Sequence, residues 1–418
     1  MMSLARALFP LRRSLTGAGV RETLRLIGEL VPLELSEVAS GTQAFDWTVP
    51  PEWTVREAWI RDADGRVVVD GSESSLRLLG YSEPVRTQLP GAELQEHLHS
   101  LPEHPDWIPY RTSYYDRAWG FCVTERERAA IDPGAVYDVL VDTSLEPGAL
   151  TLGEVAVSGE SEEEILVSTY TCHPSLANDN VSGLVATAAL ACYLPRSALR
   201  RTHRFLFAPS VIGALAWLAR HRDRIDRIHC GFVFSCVGDS GPLRYKQSRR
   251  ADTVIDRAAA LVLLEEEGSQ VEPFVPWGGD ERQFCSPGFD LAFGSLSRSP
   301  HGAYPEYHTS ADDLDVISGE QLAGSVRAAA RVLDVLDANR IFVRTDPYGE
   351  PQLGKRGLYG SIGTGLPTDD ERRALLWVLN LADGAHSLLD VAERSGLPFS
   401  LLDRAATVLT EAELIREG

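Results

Sequence analysis

The chain is short of positive charge. It carries 40 Lys and Arg against 60 Asp and Glu, a formal net charge of −20 and a pI near 4.9. An acidic surface repels phosphate backbones and anionic lipid, so no nucleic-acid and no membrane-surface partner is expected, although a sum does not exclude a local basic patch. Cysteine is scarce and dispersed, at Cys122, Cys172, Cys192, Cys230, Cys236 and Cys285, with no CxxC pair. That excludes a disulfide scaffold and leads us to expect reduced thiols in a cytoplasmic protein. No charge-free apolar run reaches about 18 residues, so no transmembrane helix is predicted. Arg6, Arg12, Arg13 and Pro10 interrupt the first apolar stretch, so a secretory signal is not expected. No internal repeat is visible. What remains is ordinary: 44% hydrophobic, 24% charged, 35 Gly and 24 Pro in 418 residues. This composition excludes a disordered or low-complexity chain, and the length suggests two to four domains at roughly 100–200 residues each.

Apolar residues at Leu4, Leu8, Leu11 and Leu15, then Val20, Leu24, Ile27 and Val31, predict helix over 3–32, stopped by Pro32. From Asp46 the pattern becomes β-rich, and Asp62-Ala63-Asp64-Gly65 predicts a hairpin turn between two short runs. Val136–Val141 and Glu154–Val157 read as paired strands joined at Pro147-Gly148. The centre then alternates. Strands are predicted at 165–171, 204–208, 229–235 and 292–297, and helices at 181–193, 212–220, 252–264 and 318–339. Alternation of this kind argues for a mostly parallel sheet covered by helices on both faces. Gly354–Thr368 reads as a linker. Three helical stretches over 369–418 then resemble a winged-helix unit.

Ligands of open α/β sheets bind at the carboxyl ends of strands, so polar residues there are candidates. The strand 165–171 runs into His173, and Asp179 opens the next helix. Together they could converge on one cation, or Asp179 could simply cap the helix. The strand 229–235 leads to Asp239, which reads equally well as part of an Asp-Ser-Gly turn. His308 stands in a loop before a helix start marked by Ser310 and Asp312. Gly278-Gly279-Asp280-Glu281-Arg282 is either solvated loop charge or a site wall.

The order His173, Asp179, Asp239, His308 is more specific than any member alone. With it the chain resembles the zinc aminopeptidases of the bacterial leucyl aminopeptidase type. It resembles more closely the bacterial aminopeptidase-like proteins of polysaccharide and natural-product gene clusters, which add an inserted β domain and a C-terminal winged helix. The matching stretches are Asp46 through Trp53, Tyr110 through Phe121, Thr171–Gly183, Cys236–Arg250, Gly279–Phe289 and Tyr304–Asp315. The resemblance implies an α/β fold with a mostly parallel mixed sheet and three parts: a catalytic domain over 1–44 and 116–353, an inserted β domain over 45–115, and a linker with a winged helix over 354–418. It implies zinc on His173, Asp179, Asp239 and His308. In two-metal relatives the residue matching Asp179 bridges, those matching His173 and Asp239 hold one ion, and that matching His308 holds the other.

Two departures stand out. Relatives carry one or two Glu after the strand that contains Phe205–Phe207, one acting as base; here the chain reads Pro209-Ser210-Val211-Ile212-Gly213. Wider relatives have His-x-Asp where this chain has His173-Pro174-Ser175, so the carboxylate that would orient the imidazole is missing. One zinc is therefore expected rather than two, on His173, Asp179 and either His308 or Asp239. Losing a general base typically costs about 10²–10⁴-fold, and Asp280, Glu281 or Glu306 are the candidates to replace it. Arg282, Tyr304, Tyr245 and Arg249 are expected to contact substrate, although the basic stretch 245–250 could equally be a solvated approach to a helix.

The expected activity is hydrolysis of an amide in a small aminoacyl or peptidyl substrate of a biosynthetic pathway. The alternatives are acyl transfer or cyclisation on a single zinc, as in glutaminyl cyclases, and a non-catalytic scaffold that has lost hydrolysis. Over 369–418 there are ten acidic residues against five Arg and no Lys. A homo-oligomer contact is therefore expected of the winged helix, in preference to DNA binding.

Overall fold

The computed structural model describes residues 1–194, 199–358 and 368–418. They form two units, Met1–Asp256 with Leu263–Ala330, and Arg257–Val262 with Arg331–Gly418.

The first unit is built on an eight-stranded mixed sheet. At its centre Thr202–Ala208, Glu164–Tyr170, Ile228–Phe234 and Phe293–Ser297 are parallel neighbours in that order. These are the apolar, β-branched and aromatic runs of the sequence, and helices cover both their faces. Every residue of Glu164–Tyr170 is buried, as expected of a strand with no solvent face. Gly231 allows a close approach: a Cβ there would stand 2.2 Å from the Leu166 carbonyl oxygen and 2.3 Å from the Phe293 ring. The edges are partly antiparallel. Ala149–Val157 lies between Glu34–Ala39 and Thr202–Ala208, antiparallel to both. On the other side Arg244–Lys246 runs antiparallel to Phe293–Ser297 and parallel to Gln270–Glu272. The Ala-rich helix Gly183–Tyr193 is buried around most of its circumference, which small side chains permit.

A second, antiparallel sheet has the order Val67–Asp70, Glu52–Arg61, Val136–Glu146, Val85–Pro90. The predicted hairpin turn is present, with Asp62 Oδ1 accepting from the amides of Asp64 and Arg66. The predicted pairing of the strands on either side of Pro147-Gly148 is not. Val136–Glu146 alternates buried and half-exposed residues and sits at the centre of the small sheet. Ala149–Val157 enters the main sheet. The turn between them therefore joins two sheets, and the β-rich part extends well past residue 115. The single helix expected over 3–32 is two, Met2–Leu8 and Ala18–Gly28. Pro10 and Gly17, the latter at φ +97°, separate them.

In the second unit Ile341–Arg344 pairs with Asp383–Ser387 and Ile415–Glu417. Three helices, Asp369–Leu381, Leu388–Ser395 and Phe399–Glu411, complete it. Thr368 with Glu371 and Ser387 with Asp390 form reciprocal caps at two of the helix starts. Most of the predicted linker 354–368 lies outside the described residues. The unit begins before that stretch, because its first strand does. No helix among the described residues is long and apolar enough to cross a membrane.

Glu164, at the head of the central strand, is 5% exposed and takes Arg204 at 2.6 Å and Arg224 at 2.9 Å. Arg204 also reaches Glu154, at 3.1 Å. Removing one member of a buried ion pair strands the other charge. Arg204→Met should therefore lower stability by about 3 kcal/mol, read by urea denaturation at neutral pH.

Candidate metal centre

The four parallel strands end on one edge of the sheet, and each delivers polar residues to it. Glu164–Tyr170 leads to Cys172 and His173, Thr202–Ala208 to Ser210, Ile228–Phe234 to Cys236, and Phe293–Ser297 to His301 and His308. The backbone departs from ordinary geometry here. Val211, Cys236 and His308 have φ of 62°, 52° and 57°, a region that non-glycine residues seldom occupy.

His173, Asp179 and His308 come together with their donor atoms within 4.8 Å of one another. Asp179 is fully buried, His173 is 14% exposed and His308 33% exposed. His308 Nε2 stands 2.9 Å from Asp179 Oδ2, and His173 Nε2 stands 3.9 Å from it. Asp179 Oδ2 and His308 Nε2 nevertheless lack a well-aligned hydrogen-bond partner. Three lone-pair donors that converge without bonding one another fit a cation, and two imidazoles with one carboxylate are a zinc-type set.

The protonation states agree with this. Burial lowers the His173 pKa to about 4, outweighing the pull of Asp179, so its imidazole is neutral near pH 7. Burial alone would raise the Asp179 carboxyl, but His173, His308 and His301 around it hold it well below the usual carboxylate range.

The loop bearing Asp179 is clamped from behind. Asp312, fully buried, accepts from the backbone N–H of Asn178 at 2.6 Å, from that of Asp179 at 2.9 Å and from the Tyr304 hydroxyl at 3.0 Å. Burial raises its pKa to about 7 against the pull of those two amides. The buried Arg13 donates to the His173 carbonyl at 2.9 Å. In place of an orienting carboxylate, His173 Nδ1 faces Cys172 Sγ at 3.3 Å.

Beside the centre, Asp280 Oδ1 accepts from Ser210 Oγ at 3.0 Å and from the Val211 amide at 2.7 Å. A carboxylate from another loop therefore stands beside Ser210, where the resemblance led us to expect a Glu. Burial raises its pKa to about 6. Asp280 and Glu281 are buried, not solvated loop charge, and Glu281 pairs with Lys246 at 2.5 Å. An open groove of about 820 Å³ passes Tyr304 and Glu306.

Three expected residues lie apart from the cluster. Asp239 takes Asn178 Nδ2 at 2.7 Å, Ser299 Oγ at 2.8 Å and the Gly241 amide at 2.7 Å; its oxygens tie loops together. Tyr245 is 1% exposed and donates to Asp256 at 3.0 Å. Arg249 is on the surface, paired with Asp290 at 2.7 Å. Arg282 adjoins the acid pair and is half-buried.

Residues 2–339 match a family model described as a domain of unknown function (DUF4910), and residues 340–417 match a winged helix-turn-helix model. The chain is 44% identical, over 99% of its length and 95% of the relative's, to a proposed polysaccharide biosynthesis protein with an aminopeptidase-like domain from Clostridium acetobutylicum. The chain belongs to this DUF4910 family of aminopeptidase-like proteins. A crystal structure of a proposed peptidase from C. acetobutylicum superposes with a TM-score of 0.93 at 43% identity, covering 100% of this chain and 95% of that one. A zinc aminopeptidase from Bacillus subtilis gives a TM-score of 0.58 at 12% identity over 79% and 92% of the two chains. A peptidase M28 precursor from Shewanella amazonensis gives 0.56 at 14% over 80% and 92%. These last two share the fold.

Sequence reasoning missed Tyr170 and His301 in this DUF4910 centre. Tyr170 donates to Asp179 Oδ1 at 2.5 Å, and His301 Nε2 lies 3.1 Å from the same hydroxyl. The one available signal was His301 seven residues before His308 in the loop after the last parallel strand.

Tyr304, expected at substrate, is 9% exposed with its hydroxyl spent on Asp312. Tyr304→Phe should cost about 1.5–3 kcal/mol, the range for a hydrogen bond to a charged partner, measured by urea denaturation at a pH well above 7, where Asp312 is ionised.

Proposed function

We infer that this chain is a metal-dependent amide hydrolase of the aminopeptidase type, acting on a small aminoacyl or peptidyl substrate of a biosynthetic pathway. The observation that carries the reading is the convergence of His173, Asp179 and His308 on a common point, with Asp179 Oδ2 and His308 Nε2 unpartnered. The zinc aminopeptidase that shares the fold supports zinc as the metal, and the single open donor group among the described residues, His173, Asp179 and His308, supports one ion per chain. The name of the C. acetobutylicum relative supports a biosynthetic setting.

His173, Asp179 and His308 would hold the ion. When bound, zinc supplies Lewis acidity toward an amide carbonyl and toward water. His308, the most exposed of the three, faces the substrate side. Asp280 is the general base. Its carboxylate stands beside Ser210, where relatives carry Glu, and a pKa near 6 leaves it ionised at neutral pH yet basic enough to take a proton. Glu281 beside it raises that pKa, while Arg282 and the donors of Ser210 and Val211 lower it. Glu281, held by Lys246, and Arg282 form the site wall. The groove past Tyr304 also presents Asp106, Asp239, Glu306, Asp313 and Asp315 and no Lys or Arg, which favours a substrate whose free end carries an amine over one carrying phosphate or carboxylate. Asp239, bound up in loop contacts, holds no ion.

Metal analysis of the purified chain should give one zinc, lost in His173→Ala and in His308→Ala and kept in Asp239→Asn. No metal in the wild type would sink the reading and leave the scaffold alternative.

With aminoacyl anilides as substrates, Asp280→Asn should lower kcat/KM at least about 100-fold. Wild-type kcat/KM should rise with pH through about 6, as Asp280 loses its proton, and then level off. A variant as active as the wild type would remove Asp280 from the chemistry. A zinc-loaded wild type without amidase activity would turn the reading toward acyl transfer or cyclisation.

A further inference from the structure

Asp179 belongs to two donor groups. The first is His173, Asp179 and His308, and the second is Asp179, Cys236 and His301, its donor atoms also within 4.8 Å of one another. Each has the composition of a divalent-cation site, the second with a thiol. The two differ in what lies between the donors.

In the first group the nearest approach is His308 Nε2 to Asp179 Oδ2 at 2.9 Å, and neither atom has a well-aligned hydrogen bond. In the second the Tyr170 hydroxyl stands among all three donors. It lies 2.5 Å from Asp179 Oδ1, 3.1 Å from His301 Nε2 and 3.6 Å from Cys236 Sγ. A tyrosine hydroxyl has one hydrogen to give, and here it goes to Asp179 Oδ1. Toward His301 the hydroxyl is therefore the acceptor, which puts the imidazole hydrogen on Nε2, the nitrogen a metal would need bare. Cys236 Sγ also approaches Asp179 Oδ1, at 3.8 Å, as donor. All three hydrogens, from Tyr170, His301 and Cys236, point into the triangle. Its lone pairs are spent inside the protein, and Tyr170, Cys236 and Asp179 are buried from water.

We propose that Tyr170 does the work of a second cation at this centre. Its hydroxyl closes the Asp179–Cys236–His301 triangle with hydrogen bonds and turns the other oxygen of Asp179 toward His173 and His308, so that the centre holds a single ion. Tyr170 is thus a positioning residue, acting through Asp179. The proposal rests on the reading that His173, Asp179 and His308 bind a metal. It adds that a thiophilic site lies latent beside them.

Cobalt(II) tests it, because a cobalt–thiolate bond gives an intense charge-transfer absorption that oxygen and nitrogen ligands do not. Titrated with cobalt(II), the wild type should bind one ion per chain without that band. Tyr170→Phe should bind two and show the band, and Tyr170→Phe with Cys236→Ser should return to one without it. Cys236→Ser alone should keep the wild-type stoichiometry and affinity. A second cobalt or a thiolate band in the wild type would overturn the proposal, as would a Tyr170→Phe variant that stays at one. A tenfold loss of cobalt affinity in Cys236→Ser alone would overturn it too, and this arm does not depend on how the tyrosine variant folds. No cobalt in the wild type would instead defeat the metal reading itself. In every other arm the His173–Asp179–His308 site remains occupied, so the two failures are distinguishable.

Discussion

A carboxylate with no access to water governs this centre. Burying an isolated charge is prohibitive unless donors or opposite charges surround it, and Asp179 is 0% exposed. The sequence answers with five residues from three stretches of chain. Tyr170 donates from the strand just before, His173 and His308 stand over one oxygen, and Asp312 fixes the backbone on which the carboxylate is carried. Arg13, from the first residues of the chain, holds the carbonyl of His173. These contacts join Arg13, the stretch 170–173 and the loop 308–312 around one buried charge. The parallel arrangement makes this possible, since strands running the same way bring their loops to one edge.

The strands and helices of the main sheet were legible because each segment declares itself. A run such as Ile-Leu-Val with no polar alternation suits only a strand covered on both faces, and Ile212–Arg220 has the helical period. Pairing was less legible. Val136–Glu146 and Ala149–Val157 flank a turn, and a hairpin is the local default. Which sheet each joins is decided by partners about 50 to 115 residues away: Val85–Pro90 and Glu52–Arg61 for the first, Glu34–Ala39 and Thr202–Ala208 for the second. The same applies at the site. His173 and His308 could be found as imidazoles near strand ends. Asp239 satisfies that rule equally well, yet Asn178 and Ser299, each about 60 residues distant, engage its oxygens. Tyr170 carried no signal at all, since a tyrosine closing an apolar strand is ordinary core.

Position 210 ties two loops together through a buried carboxylate. The Ser210 hydroxyl and the strained Val211 amide together bind Asp280 Oδ1. Val211 immediately precedes Ile212–Arg220, so the Asp280 carboxylate lies at the start of that helix, where a negative charge is favoured by the free N–H groups. Burial there is what lifts its pKa to about 6.

The winged-helix unit shows what the acidic balance of the chain does locally. Four of its Arg side chains face carboxylates within the unit: Arg257 with Asp390 and Glu393, Arg340 with Asp403, Arg372 with Asp369 and Arg373 with Asp370. Asp403 lies on Phe399–Glu411, the helix that would have to approach a phosphate backbone. A helix that binds DNA gains affinity by exchanging counterions for its own cations. Here Arg340 already faces Asp403 on that helix, and the charge over 369–418 is negative. The unit thus joins the winged-helix sequence pattern to an acidic charge balance.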